Sequence, residues 1–361
     1  MKQENLPDEY LIVDKKDIDR RIGEAKKALG NSVVILGHHY QRDEILDFAD
    51  YTGDSYKLSQ CAVECKEARY IVFCGVHFMA ESADILSESK RIVMLPDSEA
   101  GCSMADMADS EDVVKCWDTL SRIAQGTTIP ITYINSSADV KAFCGQNGGS
   151  VCTSSNASAA FKWAYSHTDR IIFFPDEHLG RNTAYSLGIP LEKMAVWDPR
   201  RPNGGLTDQQ ILDARIILWK GFCCVHMEFD EQQVYARKAK YPRMKIIVHP
   251  ECRFEVVRLA DYAGSTEYII KMVTNAEANT QWAVGTEIHL VRRLAKQNPD
   301  KFIIGLNDYF CFCATMFRIS PLRLLWVLEN LVAGKIVNQV KVISSARHWA
   351  KIALDQMLKI R

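Results

Sequence analysis

The sequence predicts an α/β fold of three similar αβα units, each with a parallel sheet, related by pseudo-threefold symmetry around a central active site. The first observation is a set of three short β-branched runs that each end in polar residues: SVVILGHHYQ (32–41), PITYINSSAD (130–139) and KIIVHPECR (245–253). Continuous apolar runs of this length are typical of buried parallel strands. Each run is therefore interpreted as a strand that leads into a functional loop.

The second observation is a segment rich in hydroxyl groups after each of these strands. The three segments are GDSYKLSQC (53–61), CTSSNASAAF (152–161) and GSTEYIIKMV (264–273). Serine, threonine, aspartate and asparagine are the preferred N-cap residues of helices, so each segment predicts the start of a helix. A second strand follows each helix, and these strands end near His77, His178 and His289.

The third observation is that each unit then reaches a cysteine. The separation is 64 residues in the first and third units and 90 residues in the second, for the pairs His38–Cys102, His249–Cys313 and Tyr133–Cys223. The second unit therefore carries an insertion, which includes the Pro/Gly-rich loop WDPRRPNGG (197–205).

These units predict three domains, residues 16–125, 126–241 and 242–332. The amphipathic tail, residues 333–361, is expected to form a closing helix that packs on the first domain. Ligands of α/β proteins bind at the carboxyl ends of the strands, so we expect the three strand ends to surround one site.

Composition and charge narrow the class of protein. The chain of 361 residues is 47% hydrophobic and 25% charged, and its 44 Lys and Arg against 45 Asp and Glu leave a net charge of -1. This balance does not suggest a nucleic acid or an anionic membrane as a partner. The polar start, MKQENLPDEY, lacks the apolar core of a signal peptide, and no stretch approaches the roughly 20 apolar residues of a membrane span. We therefore expect a cytoplasmic protein.

Twelve cysteines are many for a protein of a reducing compartment, where disulfides are uncommon. One cysteine from each unit, namely Cys102, Cys223 and Cys313, would bring three thiolates to the centre. A structural zinc site prefers four protein ligands, whereas a [4Fe-4S] cluster on three cysteines leaves one iron open as a Lewis acid. The alternative ligands, each within two residues of an expected site residue, are Cys224, Cys252 and Cys311.

The helix starts offer free backbone N–H groups and a positive dipole end, which bind phosphate or carboxylate. Since neither a P-loop nor GxGxxG is present, this favours a small polyanionic metabolite over a nucleotide. In CCVHMEF, His226 and Glu228 would share one face if the run is a strand. The titratable residues expected at the centre are His38, Tyr40, Tyr133, His226, Glu228, His249 and Glu251.

With these segments assembled, the sequence resembles the quinolinate synthase family from about Val33 to Leu331. The motifs that carry the resemblance are GHHYQ (37–41), GDSYKLS (53–59), GCSMAD (101–106), YINSSADVKA (133–142), VCTSSNA (151–157), FPDEHLGRN (174–182), GFCCVHMEF (221–229), HPEC (249–252), GST (264–266), GTEIHLV (285–291) and CATMFRISPLRLLWVLENL (313–331). Any one of them is weak alone, but together they are very specific.

The resemblance implies an enzyme of NAD biosynthesis that condenses iminoaspartate with dihydroxyacetone phosphate, releases phosphate and two waters, and closes the pyridine ring of quinolinate. It also implies a [4Fe-4S] cluster on Cys102, Cys223 and Cys313, although Ala314 stands where the family often has proline. A transient contact with an L-aspartate oxidase that hands over iminoaspartate is left open.

The resemblance also implies which residues form the site. Those expected to bind substrate are His38, Ser55, Tyr133, Asn135, Ser154, His249, Glu251, Ser265 and Thr266. We assign catalytic roles to Tyr40, His226 and Glu228, with Glu228 as the candidate base for the final dehydration.

Two rival functions belong to other classes. The first is a zinc-dependent lyase or hydrolase with Cys and His ligands. The second is a non-catalytic anion-binding protein of three α/β units. Metal analysis would distinguish these functions: iron with acid-labile sulfide indicates the quinolinate synthase, zinc indicates the lyase or hydrolase, and no metal indicates the anion-binding protein.

Overall fold

The computed structural model describes residues 6–88, 90–124, 128–308 and 311–360, and the strands in these ranges form three mostly parallel sheets. This confirms the predicted α/β class. Numbered along the chain, the strands are β1 (Val33–His38), β2 (Tyr51–Gly53), β3 (Tyr70–Cys74), β4 (Ile92–Met94), β5 (Thr128–Tyr133), β6 (Ser150–Cys152), β7 (Arg170–Phe174), β8 (Met194–Trp197), β9 (Ile216–Trp219), β10 (Lys245–Val248), β11 (Tyr262–Ala263), β12 (Gln281–Gly285), β13 (Phe302–Gly305) and β14 (Gln339–Val340).

The helices alternate with the strands, as expected when parallel strands are joined by crossover connections. They are α1 (Asp8–Leu11), α2 (Lys15–Leu29), α3 (Asp43–Leu46), α4 (Ser55–Glu64), α5 (His77–Leu86), α6 (Ser103–Asp106), α7 (Ser110–Ile123), α8 (Ala138–Gln146), α9 (Ala157–Tyr165), α10 (Glu177–Ser186), α11 (Asp208–Asp213), α12 (Glu231–Lys240), α13 (Phe254–Leu259), α14 (Thr266–Thr274), α15 (Ile288–Gln297), α16 (Ala314–Phe317), α17 (Pro321–Val332) and α18 (Ser344–Lys359).

The chain divides into two compact units, residues 1–102 with 312–343 and residues 103–311 with 344–361. The three predicted domains therefore do not correspond one to one with these units. Their boundaries at 241 and 332 stay a prediction, and the boundary at 125 lies outside the described residues.

The first unit contains a sheet of order β14-β4-β3-β1-β2, in which only the β14–β4 pair is antiparallel. All six residues of β1 are buried, as its uninterrupted apolar sequence predicts. Helix α2 begins at the N-cap Asp14, whose side chain accepts a hydrogen bond from the backbone N–H of Asp17. The helix packs against α17, and Arg21 forms an ion pair of 2.8 Å with Glu329 across this contact.

The second unit contains two fully parallel sheets, of orders β6-β5-β7-β9-β8 and β11-β10-β12-β13. Their central strands are buried on both faces and are connected by helices that cover the sheets. In both sheets the strands end at loops that carry residues expected at the site.

The expected position of the C-terminal helix is wrong. Helix α18 belongs to the second unit, where it packs against α8 and β6, while only the stretch before it, with β14, joins the first sheet. The helices α18 and α8 approach so closely that a Cβ on Gly145 would lie 2.0 Å from the carbonyl oxygen of Trp349. Among the described residues, no helix is both long and apolar enough to cross a membrane.

Candidate functional site

The carboxyl ends of the strands in the second unit bring several expected site residues into its interior. Tyr133 is the last residue of β5, and His249 and Glu251 follow β10. Each of these residues, and His226, is between 1 and 5% exposed. Polar groups this deeply buried need partners, so their contacts describe how the site is organised.

A hydrogen-bonded group around His226 forms the centre of this arrangement. Its Nδ1 lies 2.8 Å from Oε2 of Glu251, and its Nε2 lies 3.1 Å from Oγ1 of Thr286. The ring also stacks on that of His249, with centroids 4.5 Å apart and an angle of 16° between the planes. His226 is therefore held on both edges and on one face.

Burial and hydrogen bonding set the protonation states of this group. Burial alone would raise the pKa of Glu251, but the nearby His249 and His226 and the hydrogen bonds from His226 and Tyr133 outweigh it and lower the pKa to about 2. Burial lowers the pKa of His249 to about 3, against the opposing effect of Glu251. At neutral pH the carboxyl of Glu251 is thus ionised and the imidazole of His249 is neutral.

Among the buried polar atoms of the described residues that have no hydrogen-bond partner, two belong to residues that lie within two positions of a strand end in the second unit. They are Oδ1 of Asn135, after β5, and Oδ2 of Asp176, after β7. Burial, and then the charge of Glu251, raises the pKa of Asp176 well above its usual range. A bound polar molecule could donate the missing hydrogen bond to such an oxygen. This agrees with the substrate role expected for Asn135.

Cys223 adjoins this group. A sulfur, a nitrogen and an oxygen from Cys223, His226 and Glu251 all lie within 4.8 Å of one another, so these three residues could together hold a metal ion. Thiolate and imidazole are ligands that iron and zinc accept.

Backbone contacts hold the loop that carries Cys223. The carbonyl oxygen of Gly221 accepts a hydrogen bond of 2.9 Å from the N–H of Glu177, and a Cβ on Gly221 would lie 2.4 Å from the carbonyl oxygen of Pro175. Just before the loop, the indole Nε1 of Trp219 donates to the carbonyl oxygen of Met107 at 2.7 Å. Two different segments of the second unit therefore fix the position of Cys223.

Glu228 is placed differently from the expectation. The CCVHMEF run is not a strand, because His226–Glu228 form a 3₁₀ turn. In this turn His226 points inward and Glu228 is exposed, so the two side chains do not share a face. The buried carboxylate that contacts His226 is that of Glu251.

The predicted helix starts are confirmed at all three segments, and in two of them a side chain caps the helix. Asp54 caps α4 by accepting from the N–H of Lys57 at 2.9 Å, which makes Ser55 the first residue of that helix. Ser265 caps α14 by accepting from the N–H of Tyr268 at 3.3 Å, with Thr266 next to it. Ser154 lies in the turn before α9, where Asn156 occupies the cap position without a capping side-chain bond.

The first unit carries the loop of His38 and Tyr40 together with Cys102 and Cys313. The rings of His38 and Tyr40 meet edge to face at a centroid distance of 4.8 Å. Close by, the Arg42 guanidinium donates to the carbonyl oxygen of Phe317 at 2.6 Å and lies 3.8 Å above its ring centroid. This contact joins the loop after β1 to the helix that follows Cys313.

The cysteines fall into groups by exposure, and none of the twelve forms a disulfide. Burial raises the pKa of six buried thiols and keeps them protonated: Cys61, Cys74, Cys116, Cys144, Cys152 and Cys252. Cys224 is exposed, and Sγ of Cys311 donates to the carbonyl oxygen of Val225 at 3.4 Å. The three expected ligands are partly exposed and stand on loops or at an element end: Cys102, Cys223 and Cys313.

Sequence reasoning did not single out Thr286, Asp176 or Asp97. Thr286 lies in the GTEIHLV run, directly after β12, and its place at a strand end was the available signal. Asp97 has 2% exposure and pairs with arginines more than two hundred residues away, which no local pattern reveals.

Buried imidazole, carboxylate and thiol groups at the carboxyl ends of parallel strands are the layout of an α/β enzyme that acts on a small molecule. Comparison with known proteins identifies which one. The family model described as Quinolinate synthetase A protein matches residues 20–359. The chain is 54% identical to the quinolinate synthase of Acidobacterium capsulatum and 49% identical to those of Bacillus anthracis and Bacillus cereus, in each case over 98% of this chain and 96% of the relative. The chain belongs to the quinolinate synthase family, enzymes of NAD biosynthesis.

Proposed function

We propose that the protein condenses iminoaspartate with dihydroxyacetone phosphate to form quinolinate, with release of phosphate and two waters. The observation that carries this proposal is the buried His226–Glu251 pair beside Cys223, in a chain of this family. It supplies, in one unit, a proton-transfer group and a thiol at the position expected for a metal ligand.

We propose that Cys102, Cys223 and Cys313 hold a [4Fe-4S] cluster. The donor chemistry fits, because these thiols are accessible while six others are buried and protonated. Thiolates also favour iron–sulfur clusters over hard cations. When bound through three cysteines, such a cluster supplies one open iron that acts as a Lewis acid on a substrate oxygen.

The helix starts support the binding of anionic substrates. Ser265 and Thr266 stand at the first turn of α14, and Ser154 precedes α9, where backbone N–H groups and the helix dipole favour a phosphate or carboxylate. Ser55 stands at the first turn of α4 in the first unit, where the backbone N–H groups likewise favour an anion. Asn135 and Tyr133 would contact the same substrate, since Oδ1 of Asn135 is buried and unsatisfied.

The chain's own side chains would move protons during enolisation and isomerisation. Glu251 accepts the Nδ1–H of His226 and so orients this imidazole, while Tyr40 and Glu228 are the further proton-transfer candidates. Glu228 is exposed in the second unit, whereas Glu251 is buried. General acid–base catalysis contributes about 10²–10⁴-fold per group. Hence Tyr40→Phe and Glu228→Gln should each slow turnover strongly while the iron content stays unchanged.

The decisive experiment is anaerobic purification followed by measurement of iron, acid-labile sulfide and quinolinate formation. Wild-type protein should contain about four iron and four sulfide per chain. Cys102→Ser, Cys223→Ser and Cys313→Ser should each lose iron and activity. The neighbouring Cys224→Ser is the matched control and should retain both, because this thiol is exposed and adjacent to Cys223.

The Cys223–His226–Glu251 group is also a donor set that zinc accepts, which is the observation in favour of a zinc enzyme. Zinc in place of iron in the anaerobic protein, with no loss of metal in Cys102→Ser or Cys313→Ser, would support that alternative. A transient contact with L-aspartate oxidase stays a prediction, and co-sedimentation of the two proteins would test it.

A further inference from the structure

Thr286 is the least expected member of the group around His226. It follows β12 directly, with 2% exposure, and its hydroxyl lies 3.1 Å from Nε2 of His226. The backbone around it is fixed, because the carbonyl oxygen of the preceding Gly285 accepts from the N–H of His249 at 3.0 Å. Threonine is β-branched and stiff at χ1, so the direction of its hydroxyl is well determined.

We propose that Thr286 is a positioning residue for His226: the hydroxyl of Thr286 holds Nε2 while Glu251 holds Nδ1, so that the imidazole keeps one orientation. This rests on the proposed function of His226. Thr286 is not assigned a contact with substrate, and its effect on turnover is exerted through the imidazole.

The two hydrogen-bond partners fix the orientation of the imidazole. A carboxylate accepts hydrogen bonds, so the 2.8 Å contact of Glu251 with Nδ1 of His226 places an N–H on that nitrogen. Nε2 forms the second hydrogen bond, of 3.1 Å, with the hydroxyl of Thr286. A hydroxyl can both donate and accept, which a valine of the same shape cannot.

The stacking on His249 further restricts the orientation of the His226 ring. A rotation of the His226 ring would break the parallel contact with His249 as well as both hydrogen bonds. A buried histidine with two specified partners has one low-energy position, and a shift of this kind in a catalytic group reduces turnover more than it affects substrate binding.

The test compares Thr286→Val, Thr286→Ser and wild type in anaerobic protein with matched iron content. Thr286→Val keeps the shape and removes the hydroxyl, so kcat should fall about tenfold while KM changes less than about threefold. Thr286→Ser keeps the hydroxyl and should recover most of kcat. Thr168→Val is the matched control, because Thr168 is also buried but lies before β7, at the opposite end of the strand, and should leave kcat unchanged.

A double-mutant cycle with His226→Gln shows whether Thr286 acts through the histidine. If it does, Thr286→Val should lower kcat little or not at all once His226 is replaced.

Three outcomes would overturn the inference. They are equal kcat in Thr286→Val and wild type, an equal loss of kcat in Thr286→Ser and Thr286→Val, and full additivity of the two substitutions in the cycle. If Thr286→Val does not fold, Thr286→Ala replaces it in each comparison. A wild-type protein that forms no quinolinate would instead refute the proposed function, so the two failures are distinguishable.

Discussion

In the first unit, Oδ2 of Asp97 lies 3.2 Å from Nε of Arg318, an ion pair between residues 221 positions apart. Asp97 precedes Cys102 by five residues and Arg318 follows Cys313 by five. The pair therefore joins the segments that carry two expected cluster ligands. Arg323 approaches the same oxygen at 3.2 Å, so the buried carboxylate is paired twice.

Asp97→Asn should destabilise the first unit, because it leaves two arginines around a neutral side chain. Because Asp97 is buried while both arginines are partly exposed, the cost should lie between the about 0–1 kcal/mol of an exposed pair and the about 3–5 kcal/mol of a fully buried one. We expect a lower unfolding free energy in denaturant and less iron per chain. Glu99→Gln is the control, since Glu99 contacts the same Arg318 but is exposed, and such pairs are worth about 0–1 kcal/mol. Equal stability of the two variants would contradict the prediction.

Gly221→Ala should displace the loop that carries Cys223. The added Cβ would lie 2.4 Å from the backbone oxygen of Pro175, a distance that requires a backbone shift. We therefore expect loss of iron and of quinolinate formation. Gly101→Ala, next to Cys102, is the matched control because a Cβ there meets no atom within 4 Å. Wild-type iron content in Gly221→Ala would show that the loop tolerates the shift.

Gly145→Ala should weaken the contact between α8 and α18. The new Cβ would lie 2.0 Å from the carbonyl oxygen of Trp349, and overpacking of this kind typically costs about 1–3 kcal/mol. Gly23→Ala, inside α2 with no atom within 4 Å, should instead stabilise by roughly 0.5–1 kcal/mol. Thermal unfolding should therefore shift in opposite directions for the two variants, and a shift in the same direction would be evidence against the close packing.

Stability should fall as the pH decreases below about 6.5. Burial lowers the pKa of His249 from 6.5 to about 3, so between these values the unfolded chain binds a proton that the folded chain does not. The loss is on the order of a few kcal/mol, and Glu251, with its lowered pKa, adds to it below about pH 4.5. Denaturant unfolding from pH 7.5 to 4 measures this slope. His249→Gln should flatten it, whereas His167→Gln, at an exposed position, should not.

Much of the fold could be predicted because its signals are local. The apolar runs at 32–41, 130–139 and 245–253 contain the strands β1, β5 and β10, and the polar residues after the apolar stretches lie at the strand ends or in the loops that follow. Parallel strands make such predictions reliable, since both faces are buried and the run is uninterrupted. The N-caps at Asp54 and Ser265 were predictable for the same reason.

The errors concern partners that lie far away in the chain. The amphipathic pattern of α18 shows that one face is apolar but not which surface covers it, and α18 packs on α8. The side chains of His226 and Glu228 diverge because the loop tightens into a 3₁₀ turn, which a strand-like apolar run does not reveal. Thr286 and Asp97 acquire their partners only through tertiary structure.

The antiparallel pairing of β14 with β4 also has a consequence for biosynthesis. The first unit needs residues 312–343 as well as 1–102, so the emerging chain cannot complete the first sheet until β14 has left the ribosome, more than two hundred residues after β4. Until then β4 presents an unpaired edge, a template for association with other nascent chains. The late arrival of β14 thus lengthens the time during which a partly synthesised chain can associate through that edge.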